Sequence, residues 1–203
     1  CYILKEKKLS IGFDPNLFTE KSLFIFFGKK KLKLKPIFRN LIDEIWKRKI
    51  VKNKNKFYSL PNNAVSEKYQ SKVNRISKYL KKKKSDFLFV TASENNAWLL
   101  NIRGRDTKYT PIPYSYILID KNKKIYFFCN LKKLSKLFKK KFSEIKFIDI
   151  RKADKILSKI SNKKFIIDKN SCSIYFENII SKNNQILNLQ DPIYIFKAIK
   201  SKN

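Results

Sequence analysis

Residues Ala92 to Tyr116 read ASENNAWLLNIRGRDTKYTPIPYSY. Before them, Phe87-Leu88-Phe89-Val90-Thr91 is a short apolar run rich in strand formers, preceded by the polar pair Ser85-Asp86, and it predicts a buried strand. Ser93 or Thr91 can cap a short helix with Glu94 in its first turn, where the helix dipole favours a carboxylate. Ala97, Leu100 and Trp98 would form its apolar face. The helix must stop near Asn101-Ile102, because Gly104, one of three glycines in the chain, follows with an arginine on each side. Pro111 and Pro113 lack the N–H a ladder needs, so the next strand is expected from Tyr114 to Asp120. A long loop with two guanidinium groups and a carboxylate therefore lies between buried elements.

Arg103-Gly104-Arg105-Asp106 has two readings. One is a tight turn whose arginines are solvated or pair locally with Asp106. The other is a specified contact, favoured by arginine scarcity: of 48 basic residues six are arginine, and two of those sit here. Arginine offers a planar fork for bidentate contacts that lysine cannot reproduce. Trp98, Asn101, Arg103, Arg105 and Asp106 are the candidate interface residues, with Trp98 expected to pack beneath the arginines and Asp106 to pair with one of them.

Thr91-Ala92-Ser93-Glu94, Ala97 to Gly104, Asp106, Tyr109, Pro111 and Tyr114-Ser115-Tyr116 together resemble a signature of the creatinase/prolidase group, in the second N-terminal domain of Xaa-Pro aminopeptidases. Ile11-Gly12-Phe13-Asp14-Pro15 with Leu17 and Thr19, and Asn40-Leu41-Ile42-Asp43 with Ile45-Trp46, resemble segments of the first N-terminal domain. Phe18 stands where that pattern has histidine, and Lys47-Arg48-Lys49 where it has Arg-Pro. The resemblance implies the N-terminal portion of a metallopeptidase that removes a residue preceding proline. It also implies a dimer or other homo-oligomer, and a loop that helps wall the active site. The catalytic pita-bread domain, with two manganese or similar divalent ions held by aspartates, glutamates and histidine, would follow Lys197-Ala198-Ile199-Lys200. That domain and a proline-containing peptide are the implied partners.

The net charge of +32 invites a nucleic-acid reading. The excess is nearly all lysine and accompanies abundant Asn, Ile, Phe and Tyr, the composition expected from AT-rich codons. No specific nucleic acid is therefore expected, although a free-standing basic nucleic-acid-binding protein and a structural pseudoenzyme subunit stay open as alternatives. Cys1, Cys129 and Cys172 lack CxxC spacing, which points to a reducing, cytoplasmic setting rather than a disulfide framework or zinc site. Apolar runs such as Leu23 to Phe27 fall far short of the ~18–20 residues a spanning helix needs, so no membrane partner is expected. The chain contains no methionine, and the expectation is a fragment or processed piece.

Alternating elements imply an α/β fold with a mixed, largely parallel sheet covered by helices. Residues 1–50 are expected to be part of a first α/β domain, with strands at 8–13 and 31–37 and helices capped by Thr19 and Asn40. Residues 51–62 read as a polar linker, 63–190 as a second domain, and 191–203 as a connection that Asp191-Pro192 opens by breaking the pattern. In the second domain Val65, Tyr69, Val73, Ile76 and Leu80 give one helical stripe through Lys83. Lys121-Asn122-Lys123 reads as a hairpin turn, and Leu131, Leu134, Leu137 and Phe138 as the next helix. Strands at 145–150, 164–168 and 185–189 then alternate with helices at 152–161 and 172–182. The chain has no histidine and 16 acidic residues, with no ligand-like spacing, no phosphate loop and no activated nucleophile. The expectation is no catalytic residue and no metal ligand within it.

Overall fold

The structure, a computed structural model, describes residues 10–28, 32–46 and 54–199. The expected strand start at Lys8, the Lys47-Arg48-Lys49 departure and the last residues of the connection lie outside them. The first elements are β1 (Ser10–Phe13), α1 (Glu20–Phe27), β2 (Lys33–Pro36) and α2 (Leu41–Ile45). Thr19 caps α1 in a reciprocal box with Ser22, and the Asn40 side chain accepts from the N–H groups of Ile42 and Asp43, as the sequence predicts. β1 and β2 pair in parallel as a two-stranded sheet. Neither α1 nor α2 has a buried residue, and Phe24, Phe26, Leu41, Ile45 and Trp46 are exposed.

The remainder contains β3 (Tyr58–Ser59), α3 (Tyr69–Lys82), β4 (Phe87–Val90), α4 (Ser93–Leu100), β5 (Ile102–Arg103), β6 (Ser115–Asp120) and β7 (Ile125–Cys129). These lead to α5 (Lys136–Lys141), β8 (Ile145–Asp149), α6 (Ala153–Leu157), β9 (Lys164–Ile167), α7 (Ile174–Ser181), β10 (Gln185–Asn188) and α8 (Pro192–Ala198). Six strands form one sheet in the order β10-β9-β4-β6-β7-β8. β4 runs parallel to β9 and antiparallel to β6, while β9–β10 and β7–β8 are parallel. The result is the mixed α/β architecture expected from the sequence.

Strand alternation divides the core into two layers. Leu88, Val90, Ile117, Ile119, Phe127 and Ile166 join Val73, Ile76 and Leu80 of α3, with Leu99 and Leu100 of α4. From the same strands, Phe89, Leu118, Phe128, Phe165 and Ile167 meet Leu157 of α6 and Phe176 and Ile180 of α7 on the other face. Each such side chain contributes about 1.5–3 kcal/mol by leaving water, so the helices are fixed to both faces.

Several local expectations are corrected. α3 starts at Tyr69 rather than Val65, after a 3-10 turn at Asn62–Ala64. The helix expected from Leu131 divides into a 3-10 turn at Leu131–Lys133 and α5, because Asn130 and Ser135 each cap their own N-terminus. Leu137 is consequently 81% exposed instead of buried. Phe57 to Leu60, within the stretch expected to be a polar linker, pack on the sheet unit. Phe57 is buried, its N–H donates to the Lys133 carbonyl at 2.9 Å, and β3 pairs with β5. Asp191-Pro192 starts a helix rather than only breaking a pattern: the Asp191 carboxylate accepts from the Ile193 N–H, and Pro192 occupies the first turn.

Candidate functional site

In open α/β sheets ligands favour the crevice at the carboxyl ends of strands where the order reverses. Here that place lies between β4 and β9, and the chain fills it. Asn95 of α4, fully buried, donates to Asp191 at 2.7 Å; the Asp191 N–H donates to Asp168, just past β9, at 3.0 Å; and Lys197 of α8 donates to the Asn95 side-chain oxygen at 2.6 Å. Burial pushes the Asp191 carboxyl up to about 6, with neighbouring Asp168 acting in the same direction. α8 thus seals the crevice. The neighbouring N-terminus of α7 is also engaged, its Ile174 and Tyr175 N–H groups donating to the carbonyls of Phe18 and Pro15.

The loop after α4 takes a different course. α4 lacks the side-chain cap expected of Thr91 or Ser93: Ala92 is the N-cap, and the Ser93 hydroxyl instead exchanges hydrogen bonds with the Ser115 backbone. The helix ends where predicted, because Asn101 adopts the left-handed conformation at φ 54°. The Asn101 side chain donates to the Glu67 carbonyl at 2.9 Å and accepts from the Lys72 ammonium at 2.6 Å. Lys72 also donates to the Trp98 carbonyl at 2.7 Å and lies 4.0 Å from the centre of the Trp98 ring. Burial lowers Lys72 to about 8, with Arg103 and Arg75 adding to the effect against Glu67. The side chain stacked on Trp98 is therefore Lys72 of α3.

Arg103 places one guanidinium nitrogen 3.0 Å from the Ala97 carbonyl and 2.8 Å from that of Ile102. It clamps the end of α4. Gly104 has an ordinary negative φ, so its lack of a side chain serves space: an added Cβ would lie 2.9 Å from Pro113 Cα and 3.0 Å from the Phe57 ring. Asp106 forms an ion pair with Lys133, a buried lysine after β7, and accepts from the Tyr114 N–H at 2.8 Å. The carboxylate expected to pair with an arginine meets a lysine. Burial lowers the Lys133 pKa.

This anchoring presents residues 105–111 outward. A bridge joins Thr107 to Thr110, and at the tip Tyr109 has φ 70° and is 90% exposed, with the Lys108 ammonium 4.9 Å from its ring centre. Arg105, Asp106, Lys108 and Tyr109 line an open depression of about 670 Å³ with Asn55 and Tyr58. Of the expected site residues, Arg105 and Asp106 come together here, whereas Trp98, Asn101 and Arg103 lie around the α4 terminus. Sequence reading missed Lys72 and Lys133, and it named Tyr109 as part of the signature without giving it a place in the site. The Lys72 position at helical spacing beside Val73 and Ile76 was the available sign for the first, and nothing local marks the second.

A dinuclear metal centre of the kind the resemblance implies needs histidine and several carboxylates together. The chain has no histidine, and among the described residues no three His, Cys, Asp or Glu side chains converge. Asp168 and Asp191, which do meet, are engaged in backbone and amide hydrogen bonds. The residues present do not fit that group. Also among the described residues, no helix is long and apolar enough to cross a membrane.

Comparison with known proteins places this geometry in a family. The profile of the creatinase/prolidase N-terminal domain matches residues 48–203. Protein pid-5 of Caenorhabditis elegans is 30% identical over 67% of this chain and 13% of its own length. Xaa-Pro aminopeptidase 1 of Dictyostelium discoideum is 28% identical over 98% of this chain and 30% of its own. The crystal structure of an X-prolyl aminopeptidase from Caenorhabditis elegans, described as a cytosolic enzyme with a di-nuclear active site, superposes with a TM-score of 0.83 at 24% identity. That superposition covers 99% of this chain and 35% of the other. The chain therefore spans about a third or less of the length of each of these relatives. Its sequence match and its fold agree: the chain belongs to the creatinase/prolidase N-terminal domain family.

Proposed function

We propose that this chain acts as the non-catalytic N-terminal portion of an Xaa-Pro aminopeptidase-like metallopeptidase, which removes an N-terminal residue preceding proline. In this reading the chemistry, with two divalent ions such as manganese, belongs to a separate catalytic portion. Residues 1–50 are part of a first domain, a connection runs from 51 to the buried Phe57, the second domain takes in β3 and extends through the packed helix α8, and the residues after α8 lead toward the catalytic portion. The protein works in the cytoplasm as an oligomer. The observation that carries the reading is the loop at 105–111, anchored by the Asp106–Lys133 ion pair and bearing an exposed aromatic tip, on a family domain that contains no histidine. A left-handed tyrosine at 90% exposure is costly in isolation, and tyrosine is a preferred interface anchor. The loop is suited to contact the catalytic portion or a second subunit and to help wall the active site.

Equilibrium dialysis against manganese tests the division of labour. The purified chain is expected to retain no stoichiometric metal. Two tightly held equivalents would place the centre within it and overturn the reading.

A further inference from the structure

Because β4, β7, β8, β9 and β10 all run the same way, their starts gather at one end of the sheet, opposite the loop. The turns there are stitched into one surface. The Lys121 N–H donates to the Asp86 carbonyl at 3.0 Å, the Asp86 N–H to the Lys164 carbonyl at 2.8 Å, and the Asn162 N–H to the Asn183 carbonyl at 2.9 Å. Tight backbone crowds these turns: Lys84, Lys123 and Asn162 have φ of 50°, 73° and 56°. Lys82, Lys84, Lys123, Lys163 and Lys182 are exposed on them, and none enters an ion pair among the described residues. The nearby carboxylates are engaged. Asp86 holds Lys121 at 2.8 Å and the Lys164 N–H at 3.0 Å, Asp120 accepts from the N–H groups of Asn122 and Lys124, and exposed Glu144, before β8, accepts from the Tyr69 hydroxyl at 3.3 Å. Buried Asp168 and Asp191 lie at the opposite end.

We propose that this lysine-bearing end of the sheet is a sequence-independent binding face for the phosphate backbone of a nucleic acid. The net charge alone does not choose a face; the shared strand direction and the hydrogen-bonded turns do. Between the lysines stand Asn122, Ser161, Asn162 and Asn183, all exposed. Such amides and hydroxyls suit phosphate and sugar oxygens. None of the large exposed apolar side chains lies in these turns, so the face lacks the inserting residues of a membrane-binding surface. Lysine, a point charge without the arginine fork, fits backbone neutralisation rather than base reading.

The test compares Lys82→Glu/Lys123→Glu/Lys163→Glu with Lys68→Glu/Lys136→Glu/Lys152→Glu, which makes the same charge change at exposed positions toward the other end. Fluorescence anisotropy with a labelled single-stranded RNA of about 20 nucleotides, titrated across salt, reads both affinity and slope. The face variant is expected to weaken binding at least about tenfold at ~0.1 M salt and to reduce the salt slope by about two, against about threefold or less for the control. Equal losses in both variants would overturn the proposal, leaving only diffuse charge. Tighter binding of polyglutamate or of anionic phosphatidylserine vesicles than of RNA at matched salt would overturn the nucleic-acid assignment. Corresponding alanine triples, whose thermal melts are checked first, repeat the comparison if a glutamate variant fails to fold.

Discussion

The side-chain amide of Asn95 donates to the buried carboxylate of Asp191 at 2.7 Å, joining residues 96 positions apart. The bond fastens α8 across the carboxyl ends of β4 and β9, where other α/β proteins leave room for a ligand. The burial of that carboxylate, which outweighs the opposing effect of the Asn95 bond, also makes a contribution to stability that depends on pH. Burial raises the Asp191 carboxyl from 3.8 to about 6, with Asp168, Lys197, Tyr79, Tyr194 and Glu94 as the charged or titratable groups around it. The folded state thus holds this proton more tightly than the unfolded state. Its contribution is fully present below about pH 4 and is lost as pH rises through 6. Two units correspond to about 3 kcal/mol. Denaturant unfolding of Asp191→Asn and the original protein at pH 4 and 7 should show the variant gaining about 2 kcal/mol relative to the original over that interval. The comparison cancels Asp86 and Asp149, whose lowered carboxyls act in the opposite direction. A pH-independent difference would refute the assignment.

Gly104→Ala should destabilise through space alone. The new methyl must displace Pro113 backbone or the Phe57 ring, at a cost of about 1–3 kcal/mol. Thermal melting is the measurement, and an unchanged midpoint would show that the loop yields freely.

The two arginines should separate in their effects. Arg103→Lys loses the paired carbonyl contacts at the end of α4 and should cost about 1–2 kcal/mol of stability. Arg105→Lys, at the lip of the depression beside Tyr109, should weaken oligomer assembly or substrate affinity several-fold in a protein that carries the catalytic portion. If Arg105→Lys leaves both properties unaffected, the loop is only a solvated turn.

Asp106→Asn leaves the Lys133 ammonium buried beside a neutral partner. It should cost about 2–4 kcal/mol and speed hydrogen exchange at residues 105–114. Lys133→Met on that background should recover most of the loss. Additive losses in the double variant would deny the coupling.

The fold was legible because its signals are local. The run at Phe87 to Thr91 and the alternating elements after it carry period-2 and helical patterns that tertiary packing reinforced. α4 stops near Asn101 as expected, but through a left-handed Asn101, a conformation that asparagine tolerates, and not through Gly104, whose φ is negative. The site was less legible because its fastenings are distant pairs. Asp106 meets Lys133 across 27 positions and Asn95 meets Asp191 across 96, and no periodicity reports them. Asp191-Pro192 was a readable helix start, a capping aspartate with proline behind it, but its position after the last strand invited the reading of a break. Gly104 looked like a turn glycine, whereas its role is the close approach of Pro113.

In the proposed division of labour, peptide-bond hydrolysis belongs to the separate catalytic portion. Incubation of the purified protein with manganese and an Xaa-Pro peptide, followed by chromatography of the released residue, tests it most directly. No release above the protein-free control is expected. Sustained release that a chelator abolishes, and that persists after removal of contaminating peptidases, would contradict it.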